Sequence, residues 1–157
     1  MGQVLVIGYG NPSRGDDGLG WHACRRLRRL LPAERASVMT VHQLTPELAE
    51  DVSRFDLVIF IDAACAGGDP GDRLRHEVDL SAATSDGSGH HCTPEAILAY
   101  ARALYGRAPL AVTFGIVGQS FDFSMRLTRR VRDAMEGLVQ QVVAEIDAYH
   151  AGDQTCA

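Results

Sequence analysis

The chain has 157 residues, of which 46% are hydrophobic and 22% charged, as in an ordinary globular domain. Its formal net charge of -5 gives no reason to expect a nucleic-acid partner, because a polyanion would bind a basic face. No apolar run approaches the roughly 20 residues that a membrane span needs. We therefore expect one domain over residues 1–151, followed by a frayed tail over 152–157, and no membrane partner.

The four cysteines are scattered along the chain and form no C-x-x-C pair. This pattern is typical of a reducing compartment and argues against a zinc ribbon or a dithiol redox site. Met1 leads almost directly into an apolar run with no basic segment before it, which is unlike a secretory signal. We therefore expect a cytoplasmic protein.

The most informative segment is Val4 to Gly20, which reads VLVIGYGNPSRGDDGLG. Its apolar start predicts a buried strand over 3–8, and the apolar spacing after the glycine-rich loop predicts a helix over about 17–31. The loop delivers two adjacent carboxylates, Asp16 and Asp17, to the start of that helix. Since one cap suffices, we interpret Asp16 as a cap or support and Asp17 as the residue available for chemistry.

The rest of the chain alternates between predicted strands and helices. The sequence Thr-Pro-Glu occurs at Thr45 and again at Thr93, and each predicts a helix that begins with a capping hydroxyl and a proline. Continuous apolar strands between helices indicate a three-layer α/β/α sandwich with a mainly parallel sheet of about five strands. The predicted strands are 3–8, 37–41, 57–62, 73–78 (an alternating edge strand) and 110–118; the later helices run to about Ser53, to about Tyr105 and over 127–149.

Several chemistry-bearing residues are expected at one edge of this sheet. Asp17 lies just past the first strand, and Asp62 ends the apolar strand LVIFID. Ligands bind outside the carboxyl ends of parallel strands, so both carboxylates are expected there. His90 and His91 follow a Gly- and Ser-rich loop, and from the start of the next helix either one can reach that edge. Carboxylates and an imidazole together suit a divalent ion such as Zn²⁺ or Ni²⁺.

A nucleotide site is an alternative interpretation of the glycine-rich loop. Gly8-Tyr9-Gly10 follows a strand, as in a dinucleotide fingerprint, but Ser13 stands where the third glycine should be. The two carboxylates at the helix start would also repel a pyrophosphate. We therefore predict a cation site and no nucleotide.

The segment GYGNPSRGDDGLG resembles the N-terminal signature of the nickel–iron hydrogenase maturation endopeptidases, in which glycine–asparagine precedes an acidic pair. The resemblance implies an enzyme that clips a C-terminal extension from a hydrogenase large-subunit precursor once nickel has been inserted. It also implies that Asp17, Asp62 and His90 are the metal-contacting and catalytic residues, on nickel that the precursor supplies. Weaker matches follow in the same order along most of the chain, at 43–48, 61–63, 88–90, 115–118 and 127–128.

Some points stay open in this interpretation. His91 is not excluded as the third metal contact, although the helix that follows favours His90. The proton of an attacking water passes either to Asp16 or to a carboxylate of the metal site. A non-catalytic nickel-dependent maturation chaperone and another metallo-hydrolase on a similar fold are the alternative functions. We expect the protein to act as a monomer on its large partner.

Overall fold

The computed structural model describes residues 1–82 and 92–155. The strands are β1 (Val4–Tyr9), β2 (Ser37–Val41), β3 (Leu57–Ala64), β4 (Arg73–Glu77) and β5 (Leu110–Val117). The α-helices are α1 (Leu19–Leu30), α2 (Leu48–Ser53), α3 (Pro94–Tyr105) and α4 (Arg129–Thr155). Two short 3-10 helices cover Gly15–Gly18 and Leu80–Ala82.

The strands form one five-stranded sheet in the order β2-β1-β3-β5-β4. Neighbouring strands among β2, β1, β3 and β5 pair in parallel, whereas β4 runs antiparallel beside β5 at the edge. The mainly parallel sheet predicted from the sequence is therefore confirmed. The mostly exposed residues of β4 fit the predicted edge strand.

Each face of the sheet is covered by two helices, which completes the predicted three-layer fold. Because side chains alternate along a strand, the continuous apolar runs of β1 and β3 supply both faces. Val4 and Val6 pack with α1 and α4 on one face. Leu5 and Ile7 pack with α2 and α3 on the other. The absence of a polar side in these strands thus reflects burial on both faces.

The order of the strands reverses at β1, because the chain passes from β1 to β2 on one side and then returns to β3 on the other. β1 leads to β2 on one side, whereas β3 lies on the other side of β1 and is followed in the sheet by β5. Helix α1 covers one face and α2 the opposite face. Open α/β sheets bind ligands at such a point, outside the carboxyl ends of the strands, and we call the region at the carboxyl ends of β1 and β3 the crevice.

Helix α1 begins in direct contact with the backbone of the sheet, and two glycines permit this approach. A Cβ atom on Gly20 would lie 2.6 Å from both the Ile61 carbonyl oxygen and the Tyr9 amide nitrogen. A Cβ atom on Gly8 would lie 2.3 Å from the Gly20 carbonyl oxygen. The start of α1, with the acidic pair before it, therefore lies against the ends of β1 and β3.

The two Thr-Pro-Glu segments behave differently. Thr93 caps α3 as predicted, because its hydroxyl accepts a hydrogen bond from the Ala96 amide at 3.2 Å. Thr45 caps no helix: α2 begins only at Leu48, and the Thr45 carbonyl accepts the Leu48 amide in a turn at 3.1 Å. The Thr45 hydroxyl donates a hydrogen bond to the Glu47 carboxylate instead, and α2 begins after this turn, three residues later than Thr45.

The last helix is longer than predicted. Residues 152–155, expected in the frayed tail, continue α4 as helix, and residues 156–157 lie outside the described part of the chain. The Gly2 amide donates a hydrogen bond to Asp153 at 2.9 Å, which ties this last turn to the start of the chain. Across residues 1–82 and 92–155, no helix combines the length and apolarity needed to cross a bilayer.

Substitution of Gly20 by alanine should lower the free energy of unfolding by about 3 kcal/mol or more, because the new methyl group meets backbone atoms that cannot rotate away. Gly152→Ala is the matched control, since its Cβ would meet nothing within 4 Å. In that helical position alanine should raise stability by up to ~1 kcal/mol. Urea unfolding followed by circular dichroism measures both, and equal stabilities would contradict the close approach.

Candidate functional site

The acidic pair lies on the 3-10 helix Gly15–Gly18, directly before α1. Neither carboxylate caps a helix, because the 3-10 helix and α1 both begin without a side-chain cap. Asp16 is fully buried and Asp17 is half-buried. The interpretation of Asp16 as a helix cap is therefore wrong for these two helices.

Asp16 joins the 3-10 helix to the segment that connects β5 to α4. Its Oδ2 accepts hydrogen bonds from the amides of Gln119 at 2.8 Å and Ser120 at 3.1 Å. Its Oδ1 accepts from the Thr128 amide at 2.7 Å, and the Thr128 hydroxyl donates to Oδ2 at 2.8 Å. Because both oxygens are occupied and buried, Asp16 is a positioning residue and is a poor acceptor for a proton from the crevice.

Asp17 is held from behind by the loop that precedes it. The Asn11 amide donates a hydrogen bond to Asp17 Oδ2 at 2.7 Å. Gly10 has a φ of 129°, and a Cβ atom there would lie 2.1 Å from the Asp17 carbonyl oxygen, so only glycine fits. Trp21 Nε1 donates to the Gly10 carbonyl at 2.9 Å and its ring contacts His42 edge-on at 5.4 Å. The loop therefore fixes the Asp17 carboxylate while leaving it partly accessible.

Asp62 lies near the end of β3, which continues two residues further than predicted, to Ala64. The Ala63 amide donates a hydrogen bond to Asp62 Oδ1 at 2.8 Å. The Tyr9 hydroxyl also donates to this carboxyl group. Gly8 pairs with Ile61 in the parallel register, so the next residues, Tyr9 and Asp62, project from the same face of neighbouring strands.

The two carboxylates are close enough to interact electrostatically. The pKa of Asp62 is raised from its ordinary 3.8 to about 7, first by burial and then by the negative charge of Asp17, while the hydrogen bonds from Ala63 and Tyr9 lower it by less. Burial also raises the pKa of Tyr9, as do the charges of Asp62 and Glu95. None of the ion pairs in the described part of the chain includes Asp17 or Asp62. The crevice is therefore acidic and favours a proton or a cation.

His90 and His91 lie outside the described residues, so the third member of the predicted metal site stays a prediction. Within residues 1–82 and 92–155, no three His, Cys, Asp or Glu side chains form a group that could hold a metal ion. Glu95, in the first turn of α3, acts on the pKa of Tyr9. The start of α3, which directly follows the two histidines in sequence, is therefore near the side of the crevice that carries Tyr9 and Asp62.

Sequence analysis missed two residues of this crevice, Tyr9 and Glu95. Tyr9 continues the series Leu5, Ile7 along one face of β1. The sequence does not show that this face of Tyr9 lies beside Asp62, because that depends on the register between β1 and β3. The signal for Glu95 was the Thr-Pro-Glu segment, where an acid in the first turn of a helix has an ordinary explanation in the helix dipole.

Asp62→Asn should change the pH dependence of stability. Asp62 has a pKa of about 7 in the folded protein against an ordinary value of 3.8, so the folded state retains a proton that the unfolded chain loses. Stability of the wild type should therefore fall as pH rises from about 4 to about 7. Asparagine cannot ionise, so the variant should be more stable than wild type above about pH 7.5, by on the order of 2–4 kcal/mol, and this advantage should shrink towards pH 4.

Denaturant unfolding across this pH range measures the effect, with Asp51→Asn as the control. Asp51 is an exposed acid on α2 whose carboxylate lies 3.9 Å from Arg54 Nη1. Its replacement should shift stability little at any pH. A stability difference between Asp62→Asn and wild type that is independent of pH would contradict the perturbed carboxyl group.

Asp16→Asn should destabilise the fold by about 3 kcal/mol. In the wild type the buried N–H donors meet carboxylate oxygens, and in the variant one of these oxygens is replaced by an amide nitrogen that cannot accept their bonds. Asp122→Asn is the control, since Asp122 is exposed in the same segment and accepts only a weak bond from the Ser120 hydroxyl at 3.3 Å. Its replacement should cost less than ~0.5 kcal/mol. Equal unfolding midpoints for the two variants would contradict the role assigned to Asp16.

The sequence matches no family model and no curated protein, but the fold matches solved structures. Hydrogenase maturating endopeptidase HybD from Escherichia coli is 20% identical with a TM-score of 0.77, over 94% of this chain and 93% of that one. The NiFe hydrogenase maturation protease HycI from Thermococcus kodakarensis KOD1 is 23% identical with a TM-score of 0.74, over 92% and 91%. The hydrogenase 2 maturation peptidase from a Thaumarchaeota archaeon is 24% identical with a TM-score of 0.71, over 92% and 98%. The chain therefore has the fold of the NiFe hydrogenase maturation proteases, as the resemblance in its sequence implies.

Proposed function

We propose that this chain is a cytoplasmic endopeptidase that removes a C-terminal extension from the large-subunit precursor of a NiFe hydrogenase after nickel insertion. The observation that carries the proposal is the meeting of Asp17 and Asp62 in the crevice between β1 and β3. The glycine–asparagine–acidic-pair signature and the fold shared with named maturation proteases support the same function.

Nickel enters this proposal as part of the substrate. Asp17 and Asp62 contact the nickel that the precursor carries, and His90 is the third contact. Two carboxylates that repel one another, and that form no ion pair with a basic side chain of residues 1–82 and 92–155, are stabilised by an arriving cation, which makes binding conditional on metal loading. Carboxylate oxygens with an imidazole suit a borderline divalent ion. No nucleotide takes part.

In the proposed hydrolysis, this chain supplies carboxylates in fixed orientations and a proton acceptor. The nickel polarises the scissile carbonyl or lowers the pKa of a water molecule. Asn11 orients Asp17, and the Ala63 amide and the Tyr9 hydroxyl orient Asp62. The proton of the attacking water passes to one of the crevice carboxylates, which gives it to the amine nitrogen as the C–N bond breaks. Asp16 does not serve as this acceptor, because it is buried with both oxygens occupied.

The test is incubation of the purified chain with a nickel-loaded precursor of a hydrogenase large subunit, followed by intact-mass spectrometry. The wild type should shorten the loaded precursor and leave the nickel-free precursor whole. Asp17→Asn, Asp62→Asn and His90→Ala should each slow cleavage by about 100-fold or more, because each removes a contact to the reacting centre. Shortening of the precursor at the wild-type rate by all three variants would overturn the proposal.

Two matched controls separate the site from the general effect of substitution. His91→Ala should retain most activity, which would assign the third contact to His90 and decide between the two neighbours. Asp51→Asn, an exposed acid on α2, should cleave as wild type does. Thermal unfolding of each variant verifies that loss of activity does not come from loss of the fold.

The same experiment decides the alternatives. A loaded precursor that binds without being shortened would identify a nickel-dependent chaperone. Stoichiometric zinc in the purified protein, together with cleavage of nickel-free substrates, would identify a metallo-hydrolase with its own metal. Size-exclusion chromatography with light scattering tests the proposed monomer.

A further inference from the structure

The segment between β5 and α4 presents two large apolar side chains to solvent beside the crevice. Phe123 is 85% exposed, the highest value for a large hydrophobic residue in the described part of the chain, and Met125 is 63% exposed. A single exposed apolar side chain is common on protein surfaces. Two such neighbours at the border of a candidate active site indicate a contact surface for another molecule. We call residues 119–126 the docking loop.

The docking loop is fixed to the loop that carries the acidic pair. The Ser124 amide donates to the Ser13 carbonyl at 2.9 Å, and the Gly15 amide donates to the Ser124 carbonyl at 2.8 Å. Arg14 Nε donates to the Phe121 carbonyl at 3.2 Å. These bonds fix the backbone on both sides of Phe123. The side chain of Phe123 is therefore exposed because its backbone is held in this conformation.

Asp16 strengthens this attachment from inside the protein. It accepts hydrogen bonds from Gln119 and Ser120 at the start of the docking loop and from Thr128 just beyond its end. A fully buried carboxylate thus clamps both ends of a segment whose middle faces water. The neighbouring residue in sequence, Asp17, belongs to the crevice, so the same short 3-10 helix joins the docking loop to the crevice.

The loop separates its aromatic residues by role. Phe121 packs against the buried core, and its Cζ would lie 2.5 Å from a Cβ atom on Gly118. Phe123, two residues later, is turned outward. Arg126, at the end of the loop, and Arg14, beside it, are exposed, and the loop contains one exposed acid, Asp122. The loop therefore offers an apolar centre with a mainly basic border.

We propose that Phe123 and Met125 dock the folded body of the protein substrate, a precursor surface that is apolar with acidic side chains at its border. This inference rests on the proposed function and specifies how the substrate is held. The contact brings the segment to be cut to the adjoining crevice, while the chemistry stays with the crevice carboxylates. Phe123 and Met125 therefore contribute to the affinity for the precursor and take no part in the chemical step.

The test compares two double variants of the full chain, Phe123→Ser/Met125→Ser and Leu104→Ser/Leu110→Ser. The second pair is the matched control, because Leu104 and Leu110 are each 67% exposed and lie at the end of α3 and the start of β5, away from the crevice. Biolayer interferometry gives Kd for the immobilised nickel-loaded precursor, and mass spectrometry gives KM and kcat for its cleavage.

The docking-loop variant should raise Kd and KM by about tenfold or more and leave kcat near the wild-type value, as loss of an apolar anchor does. The control variant should leave Kd, KM and kcat unchanged. An unchanged Kd in the docking-loop variant, with cleavage by the wild type intact, would overturn the docking inference and leave the proposed function standing. A fall in kcat without a change in Kd would overturn it as well.

Binding of the precursor and its cleavage are measured separately, so the docking inference and the proposed function can each be contradicted without the other. A wild type that binds the precursor without cutting it overturns the proposed function, and the Kd of the variants still decides the docking surface. A wild type that neither binds nor cuts overturns both. If the docking-loop variant loses sedimentation with anionic phospholipid vesicles while its affinity for the precursor is unchanged, the surface faces a membrane and the inference is wrong.

Discussion

The Asp16 carboxylate joins the two loops that border the crevice, and the arrangement of that end of the molecule depends on it. Its oxygens accept bonds from Gln119, Ser120 and Thr128, which lie more than a hundred residues away in sequence. Hydrogen bonds to a charged acceptor are shorter and stronger than neutral ones, so one side chain can order a long irregular segment. A salt bridge would do this less well, because a buried cation carries its own desolvation cost.

The division of roles between two adjacent aspartates follows from local geometry. A 3-10 helix has three residues per turn, so neighbouring side chains on it point roughly 120° apart. Asp16 is turned into the protein and Asp17 towards the crevice. The Asp17 and Asp62 pair then carries an electrostatic cost, because both groups lack a basic partner in the described ion pairs. Such a cost is typical of a site where stability is given up for binding.

The sequence predicted the layers of this fold well because burial leaves a direct record in residue type. Val4–Ile7 and Leu57–Ile61 are continuous apolar runs, and they lie in β1 and β3, inner strands with helices on both faces. Helix ends were less predictable, since Thr45 and Thr93 stand in the same tripeptide and only Thr93 caps a helix. That difference is set by the tertiary surroundings of each turn.

The candidate site was predicted in part for the same reason. Asp17 and Asp62 each follow an apolar run, so the rule for parallel strands was enough to bring them to one edge. The contacts of Asp16 with the segment after β5, and of Tyr9 with Asp62, required the sheet order and the register. His90 and His91 lie outside the described residues, and their part in the site rests on the sequence.

The antiparallel strand β4 has a consequence for the way this sheet can meet other chains. An open sheet edge is a template on which a foreign strand can pair and aggregate. β4 occupies one edge and carries Arg73, Arg75 and Glu77, and Arg75 is bound in two hydrogen bonds to Glu145 of α4. Charges along an outer strand discourage further pairing, so β4 closes this edge of the sheet to the backbone of other chains.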